Sequence, residues 1–560
     1  MAILQQSNRP LLAKRTVRRI LRQSIPMSDA SSGKVLSYDE AAAAVRREAT
    51  FAFAVARSVE RVPLTEAASR VLAEAVVADR DQPPFDRSTR DGFACRAVEL
   101  QAGALRVAGQ LRAGEAWTCG ALGRGEAVEI MTGAAVPRGA DCVVMVEHVV
   151  VADGRVSLAG MRELSRGENI VPAGAEARMG EVVVPAGRRV GVTEIAAAAA
   201  CGAAVLPVFA RPRVAILSTG DELVDVAETP LAHQIRNSNS YSLAAQVAAA
   251  GGEPVIFAVV RDDRDATEKA IRQALGCDLV LLTGGVSMGK FDFVEQALTA
   301  LGAEFFFTGA RIQPGKPVVF GKLPGRHFFG LPGNPISTIV TFLLFAAPLL
   351  RALGGESECW PRFAMARLDE EVRVKPGLTR FLPARVESDV RGARVRQIAW
   401  QGSGDLAAAA QANCFLAAPE NAEQMVAGES VTVLEIGLGL GAGGWGLGAG
   451  GWGLRAGGCE PGARRARRRN AGTGRTDQSV EPVSARGGVM EERLAFRGGE
   501  RLSETVDCAH PVGVSRGDPA DGPVGTKHQT RRTEGCECGF KIRQDLLPGP
   551  RGVVRFGDDT

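Results

Sequence analysis

Between residues 213 and 353, short runs of large apolar residues alternate with segments of helical periodicity, and few folds accommodate such a pattern. RVAIL (213–217), EPVIFAVV (253–260), DLVLL (278–282) and HFFGL (327–331) read as strands, while 240–250 and 265–275 read as helices. A strand that is apolar at nearly every position needs cover on both faces, and crossover helices supply it. The segment is therefore predicted to be an α/β domain built on a mostly parallel sheet.

Glycine motifs fall directly after three of these strands: STGDE (218–222), TGGVSMG (283–289) and LPGNPIST (331–338). In an open parallel sheet the loops beyond the carboxyl ends of the strands line the ligand crevice. Glycines there let backbone N–H groups approach an anion, and a following helix N-terminus adds a favourable dipole. A tight turn alone explains any one motif. Three in one sheet, each with Ser, Thr, Asn or an acid, argue for a shared ligand site. Its candidate residues are Ser218, Thr219, Gly220, Gly284, Gly285, Ser287, Gly289, Pro332, Gly333 and Asn334.

GGVSMGK (284–290) also spells the triphosphate-loop pattern G-x-x-x-x-G-K, but Phe291 stands where a hydroxyl must hold Mg²⁺. The carboxylate comes one residue later, at Asp292. Further acids collect at neighbouring strand ends: Asp221 and Glu222 after the first strand, Asp262 and Asp263 after the second. Amide donors mixed with carboxylates suit a phosphorylated ligand whose charge is bridged by Mg²⁺.

Around this domain the texture is different. SYDE (37–40) reads as an N-cap with early acids ahead of an amphipathic helix. Residues 62–204 and 358–436 are β-rich with frequent Gly and Pro. After 436 the chain becomes a Gly/Trp tandem repeat and an Arg cluster. Gly439, Gly441 and Gly444 match G-x-G-x-x-G there, but no helix can follow in so glycine-rich a context.

Of the formal net charge of +4, residues 1–26 carry six Lys/Arg and no acid, and 437–560 carry 19 Lys/Arg against 15 Asp/Glu, which leaves 27–436 at −6. A nucleic-acid footprint needs its basic face on the folded body, so nucleic acid is not expected as a partner. The eleven cysteines form no C-x-x-C pair, which favours a reducing compartment, the cytoplasm, over a disulfide framework or zinc site. No membrane span is expected. The apolar run 195–210 is broken by Pro207, and 342–350 is shorter still. The Arg-rich start reads as an extension upstream of Met27, or as a transit peptide.

Eight stretches, in order, resemble the molybdopterin molybdenumtransferases, whose eukaryotic relatives include the C-terminal domain of gephyrin. They are PPFDRSTRDGFA (83–94), EIMTGAAVPRGADCVVMVEH (129–148), RVAILSTGDEL (213–223), QIRNSNSYSL (234–243), LVLLTGGVSMGKFDF (279–293), IQPGKPVVFGK (312–322), GLPGNPIST (330–338) and QGSGDLAAAAQANCF (401–415). The resemblance covers roughly 35–436 and implies a multidomain α/β plus β fold. A central three-layer α/β molybdopterin-binding domain (209–354) would join an elongated N-terminal β-rich module (35–208) and a small C-terminal β-barrel-like domain (355–436). A basic extension (1–34) and a Gly/Arg-rich tail (437–560) are expected to be disordered.

The same resemblance implies a reaction. Molybdenum from molybdate enters adenylylated molybdopterin while Mg²⁺-dependent cleavage of the phosphoanhydride releases AMP. Asp91, Glu222, Asp262 and Asp292 match functional acids of the family, and Asp292, Asp221 and Glu222 are the Mg²⁺ candidates. Lys316 and Ser337 match molybdate contacts, and Ser403 joins them from the last domain. A homodimer is implied, in which the N-terminal module of one subunit closes the site of the other. Partner proteins would be the molybdopterin adenylyltransferase and molybdoenzyme apoproteins. Several positions depart from the commoner family pattern: Gln313, DRSTR (86–90) and Glu176, while Arg380 and Arg385 compete for the family's C-terminal arginine. Two alternatives remain: a molybdopterin adenylyltransferase, which shares the α/β domain, and a scaffold that keeps the fold without turnover.

Overall fold

A computed structural model describes residues 34–55, 57–285 and 293–437. All belong to the first of the two units into which the chain divides, 1–465 and 466–560. The expected extension before residue 34 and the tail after 437 lie outside the described residues.

Six strands, numbered within the α/β domain, form its sheet: β1 (Arg213–Ser218), β2 (Glu253–Ile256), β3 (Leu279–Thr283), β4 (Glu304–Phe307), β5 (Val319–Leu323) and β6 (Arg326–Leu331). Across the sheet the order is β2-β1-β3-β6-β5-β4. The first four run parallel, and β5 and β4 add an antiparallel edge. Alternate residues serve opposite cores. Val214 and Ile216 of β1 and Leu279 and Leu281 of β3 join one; Ala215, Leu217, Val280 and Leu282 join the other. This two-sided burial is why the strands lack the polar alternation of a half-exposed sheet.

Helices α1 (Tyr38–Phe53), α2 (Ser238–Ala249) and the apolar helical run α5 (Pro335–Leu353) cover the first face. Between them in sequence, α3 (Arg264–Ala274) and α4 (Phe293–Ala300) cover the second. At 19 residues α5 is long and apolar enough to cross a membrane, but 89% of it is buried in this core, which identifies it as a core helix.

The N-cap read at SYDE is present as a capping box. Ser37 Oγ accepts from Glu40 N at 3.3 Å, and the Glu40 carboxylate accepts from Ser37 N at 2.9 Å. The apolar stripe of α1, Ala41, Ala44, Val45, Ala49 and Ala52, packs into the α/β core with Leu349 and Ala352. The helix thus serves the α/β domain, although the texture of the sequence groups it with the β-rich region that follows.

That region holds two bodies. A six-stranded sheet has Gly92–Cys95 between Cys142–Met145 and Glu126–Ile130. A second, smaller core gathers Val62, Leu72, Val76, Val184, Leu206 and Val208. Beyond the α/β domain, strands Thr379–Asp389, Gly392–Gln397, Phe363–Leu368, Ser430–Glu435 and Cys414–Ala418 close into a five-stranded barrel, the last pairing back with the first. The barrel borrows a sixth strand, Ile312–Gln313, whose Gln313 is the register partner of Arg380.

A buried ion triad fastens the second N-terminal body to the end of α5. Glu356 accepts from Arg351 at 2.8 and 2.7 Å and from Arg189 at 3.1 and 2.5 Å. Arg57 adds a cap shared by two helices, donating to Ala52 O at the end of α1 and to Ala352 O and Leu353 O at the end of α5.

Candidate active site

The order β2-β1-β3 places β1 where neighbouring connections depart in opposite directions, and in open α/β sheets ligands bind at such a switch point. The loops after β1 and β3 carry Thr219–Glu222 and Gly284–Gly285, so two of the three glycine motifs meet there. Their contact is tight. Thr219 N donates to Thr283 O at 3.0 Å. Gly284 has φ +89°, and a Cβ on it would collide with Thr219 O. The third motif follows β6, and Gly333 comes within 3.7 Å of the Gly284 Cα at the position a Cβ would take.

Side chains stitch the loops to the first turn of α2. Ser218 Oγ lies 2.8 Å from Ser240 Oγ and 3.3 Å from Asn237 Oδ1, and Asn237 caps α2 by accepting from Ser240 N at 3.1 Å. All three residues are buried. Ser218 is therefore a framework residue here, spent on the helix N-terminus. Asn239 bridges the other two motifs, donating to Thr283 Oγ1 and Gly333 O. Asn237, Asn239 and Ser240 were not among the expected site residues. Their signal was the polar run NSNS at a helix start between two glycine motifs.

The acids lie on one side of the crevice. Asp262 N donates to Asp221 Oδ1 at 3.4 Å, and Thr219 and Val260 form an isolated parallel bridge that zips the two loops together. Glu222 folds back over Gly220, whose φ of +144° and missing Cβ make room for the carboxylate. Asp221, Glu222 and Asp262 are all exposed. Asp263 is diverted to cap α3, accepting from Ala266 N at 2.7 Å. Among the described residues no group of three or more His, Cys, Asp or Glu is placed to hold a metal ion. Mg²⁺ takes one or two protein carboxylates and completes its shell with water and substrate phosphate, and Asp221 and Glu222, exposed side by side in the loop after β1, are of that kind. Ser287, Gly289 and Asp292 lie outside the described residues.

On the other side, Ser337 sits in the first turn of α5, where Ile336 N donates to Ser403 O at 3.0 Å. That bond brings the Ser403 loop of the C-terminal domain onto the start of α5. Asp405 rigidifies the loop, accepting from Gln401 N and Ala408 N at 3.0 Å each. The Pro314–Lys316 turn abuts Thr341, whose hydroxyl donates to Ser337 O at 2.7 Å. Lys316 is exposed. A helix N-terminus, two hydroxyl residues and an ammonium group of this kind suit a small oxyanion.

Asp91 is set apart from these groups. It precedes Gly92–Cys95 in the N-terminal six-stranded sheet, and its Oδ1 accepts from Thr132 N at 2.6 Å and Thr132 Oγ1 at 2.7 Å. These bonds, the backbone one first, hold its carboxyl below the ordinary aspartate value. A hollow of about 340 Å³ lined by Val184, Arg188, Thr193 and Glu194 belongs to the second N-terminal body, and no site loop reaches it.

A switch-point crevice bordered by glycine turns, with carboxylates on one side and Lys316, Ser337 and Ser403 on the other, defines an α/β domain suited to a phosphorylated small molecule. Three family models match the chain: the MoeA N-terminal region (domain I and II) over 36–202, the probable molybdopterin binding domain over 215–352 and the MoeA C-terminal region (domain IV) over 365–436. A molybdopterin molybdenumtransferase of Staphylococcus aureus is 34% identical over 380 residues, covering 67% of this chain and 90% of the relative. One of Haemophilus influenzae is 33% identical over 386 residues, covering 67% and 93%. The molybdopterin biosynthesis moeA protein of Pyrococcus horikoshii superposes with a TM-score of 0.59 at 30% identity, covering 72% of this chain and all of that one. The chain belongs to the molybdopterin molybdenumtransferase family.

Proposed function

We propose that the chain inserts molybdenum from molybdate into adenylylated molybdopterin, releasing AMP and forming the molybdenum cofactor. The observation that carries this reading is the arrangement of two unlike half-sites about one crevice. The strand-end loops with Asp221 and Asp262 suit the phosphoanhydride, and Lys316, Ser337 and Ser403 suit a tetrahedral dianion. The family models flanking the α/β domain favour the insertion reaction over the adenylyltransferase alternative, which needs the α/β domain alone.

In this reading the glycine turns present backbone N–H groups to the phosphates, and Asn334 and Gly333 border the same crevice. Asp292 and Asp262 orient the attacking water, and Lys316 offsets charge on the oxyanion. Mg²⁺ would be held by Asp221 with Glu222 and Asp292, and would neutralise charge developing on the anhydride oxygens. Arg380 is the better choice for the arginine of the C-terminal domain. It is registered against Gln313, three residues from Lys316, whereas Arg385 pairs with Glu387 on the barrel.

Among the described residues Asp91 bonds only to Thr132 and Val146 of the N-terminal module, which suits a homodimer in which that module of one subunit reaches the crevice of the other. The cysteines form no disulfide among the described residues, which suits the cytoplasm. The adenylyltransferase and molybdoenzyme apoproteins are the natural neighbours for a labile substrate and product.

The test is molybdate- and Mg²⁺-dependent release of AMP from adenylylated molybdopterin by the full chain. Wild type is expected to release AMP, and Asp292→Asn to lose about 100-fold or more of the rate while still folding. A wild type that binds the substrate and releases nothing would leave the scaffold reading in its place.

A further inference from the structure

Six buried side-chain polar atoms lack a hydrogen-bond partner among the described residues, and two of them adjoin one turn of the crevice. Asn239, in the first turn of α2, donates its amide nitrogen to Thr283 Oγ1 at 3.0 Å and to Gly333 O at 2.8 Å. Thr283 Oγ1 gives its own proton to Pro332 O at 3.2 Å, so it can only accept from Asn239. Turning the amide over would set Oδ1 against the Gly333 carbonyl. Asn239 Oδ1 is thereby fixed in direction, buried and unpaired.

Thr219 Oγ1, on the loop after β1, is the second such atom, in a residue only 4% exposed. It faces Gly284 and Gly285, where added Cβ atoms would come within 3.2 and 2.8 Å of it. A buried amide oxygen without a donor is costly, and with a hydroxyl beside the same turn that is free to accept as well as donate, Asn239 Oδ1 suits an N–H donor brought by a ligand.

We propose that Asn239 Oδ1, with Thr219 Oγ1 beside the same turn, reads an N–H edge of the bound heterocycle. The inference rests on the substrate reading above. An adenylylated pterin carries this chemistry twice, in the amino group of its adenine and in the amino group and ring N–H of its pterin. An acceptor already committed in direction favours the ligand that brings the N–H and rejects the analogue that leaves it unpaired.

Equilibrium binding of two probe pairs to the full chain tests this: AMP against purine riboside 5′-monophosphate, and 6-hydroxymethylpterin against its 2-desamino analogue. The members of each pair differ by one amino group. Wild type is expected to prefer the amino-bearing member of one pair by about 10- to 100-fold, and that pair identifies the half of the substrate that Asn239 touches. Asn239→Ala is expected to bring this ratio to within about twofold of unity, with Asn239→Ser as the second variant should alanine not fold. Thr283→Val cuts the tether and leaves Oδ1 in place, so both members should weaken alike and the ratio should persist.

A ratio that survives loss of the Asn239 side chain overturns the proposal. So does a wild type that binds both members of both pairs equally, which would mean that water satisfies Oδ1. A wild type that binds none of the four probes overturns the substrate reading itself.

Discussion

At Asp91 two hydrogen bonds from a single residue hold a carboxylate in its charged form. Thr132 supplies both, and the depressed pKa means that Asp91 stays ionised further into acid than an ordinary aspartate. Thr132→Val removes the hydroxyl and leaves the stronger backbone bond, so the pKa should rise part of the way back. The acidic limb of the AMP-release profile should move to higher pH, and an unchanged limb would show that Asp91 is not the group titrating there. The family resemblance singled out Asp91, Lys316 and Ser337 as candidate residues. It could not show that Ser218 is consumed in the α2 cap or that Asn239 Oδ1 is left over, because hydrogen-bond balance depends on neighbours far apart in sequence. Asn239 and Gly333 are separated by 94 positions.

Among the elements, the four parallel strands of the α/β sheet were readable because two-sided burial demands continuous apolar runs, whereas the antiparallel edge strands β4 and β5 were not read, and the capping box of α1 was readable because it is local. The sheet order was not readable. Alternation implies parallel strands but not that β1 lies between β2 and β3, and that placement turns two separate glycine turns into one crevice. The turn after β3 is also the least forgiving local structure here. Gly284→Ala would combine a positive φ with a Cβ driven into Thr219 O. A loss of about 2–4 kcal/mol is expected by urea denaturation, together with loss of substrate binding. A variant as stable as wild type would mean that the β1 and β3 loops separate more readily than their bonding implies.

For the whole molecule, the Arg351–Glu356–Arg189 triad joins the second N-terminal body to the end of α5. Burial alone would raise the Glu356 pKa, but the two guanidinium groups outweigh it and hold the value below 4.5. Its contribution is therefore complete above the unfolded value and is lost as pH falls from about 4.5 through the folded one. Glu356→Gln should cost about 3–5 kcal/mol at pH 7, and urea midpoints of variant and wild type should converge toward pH 3. The proposed dimer has its own test. Asp91→Asn and Lys316→Ala chains, each inactive alone, should recover about a quarter of wild-type AMP release when mixed and allowed to exchange. No recovery would place Asp91 and Lys316 in one chain's site. The packing of α1 also has a consequence in time. A ribosome completes this helix early, yet the end of α5 against which it packs lies almost 300 positions further on, as the Arg57–Leu353 bond shows. At about 5–20 residues per second, the apolar stripe of α1 waits on the order of 15–60 s for its partner. For that interval Ala41, Val45 and Ala49 are a nascent-chain surface that a chaperone can hold.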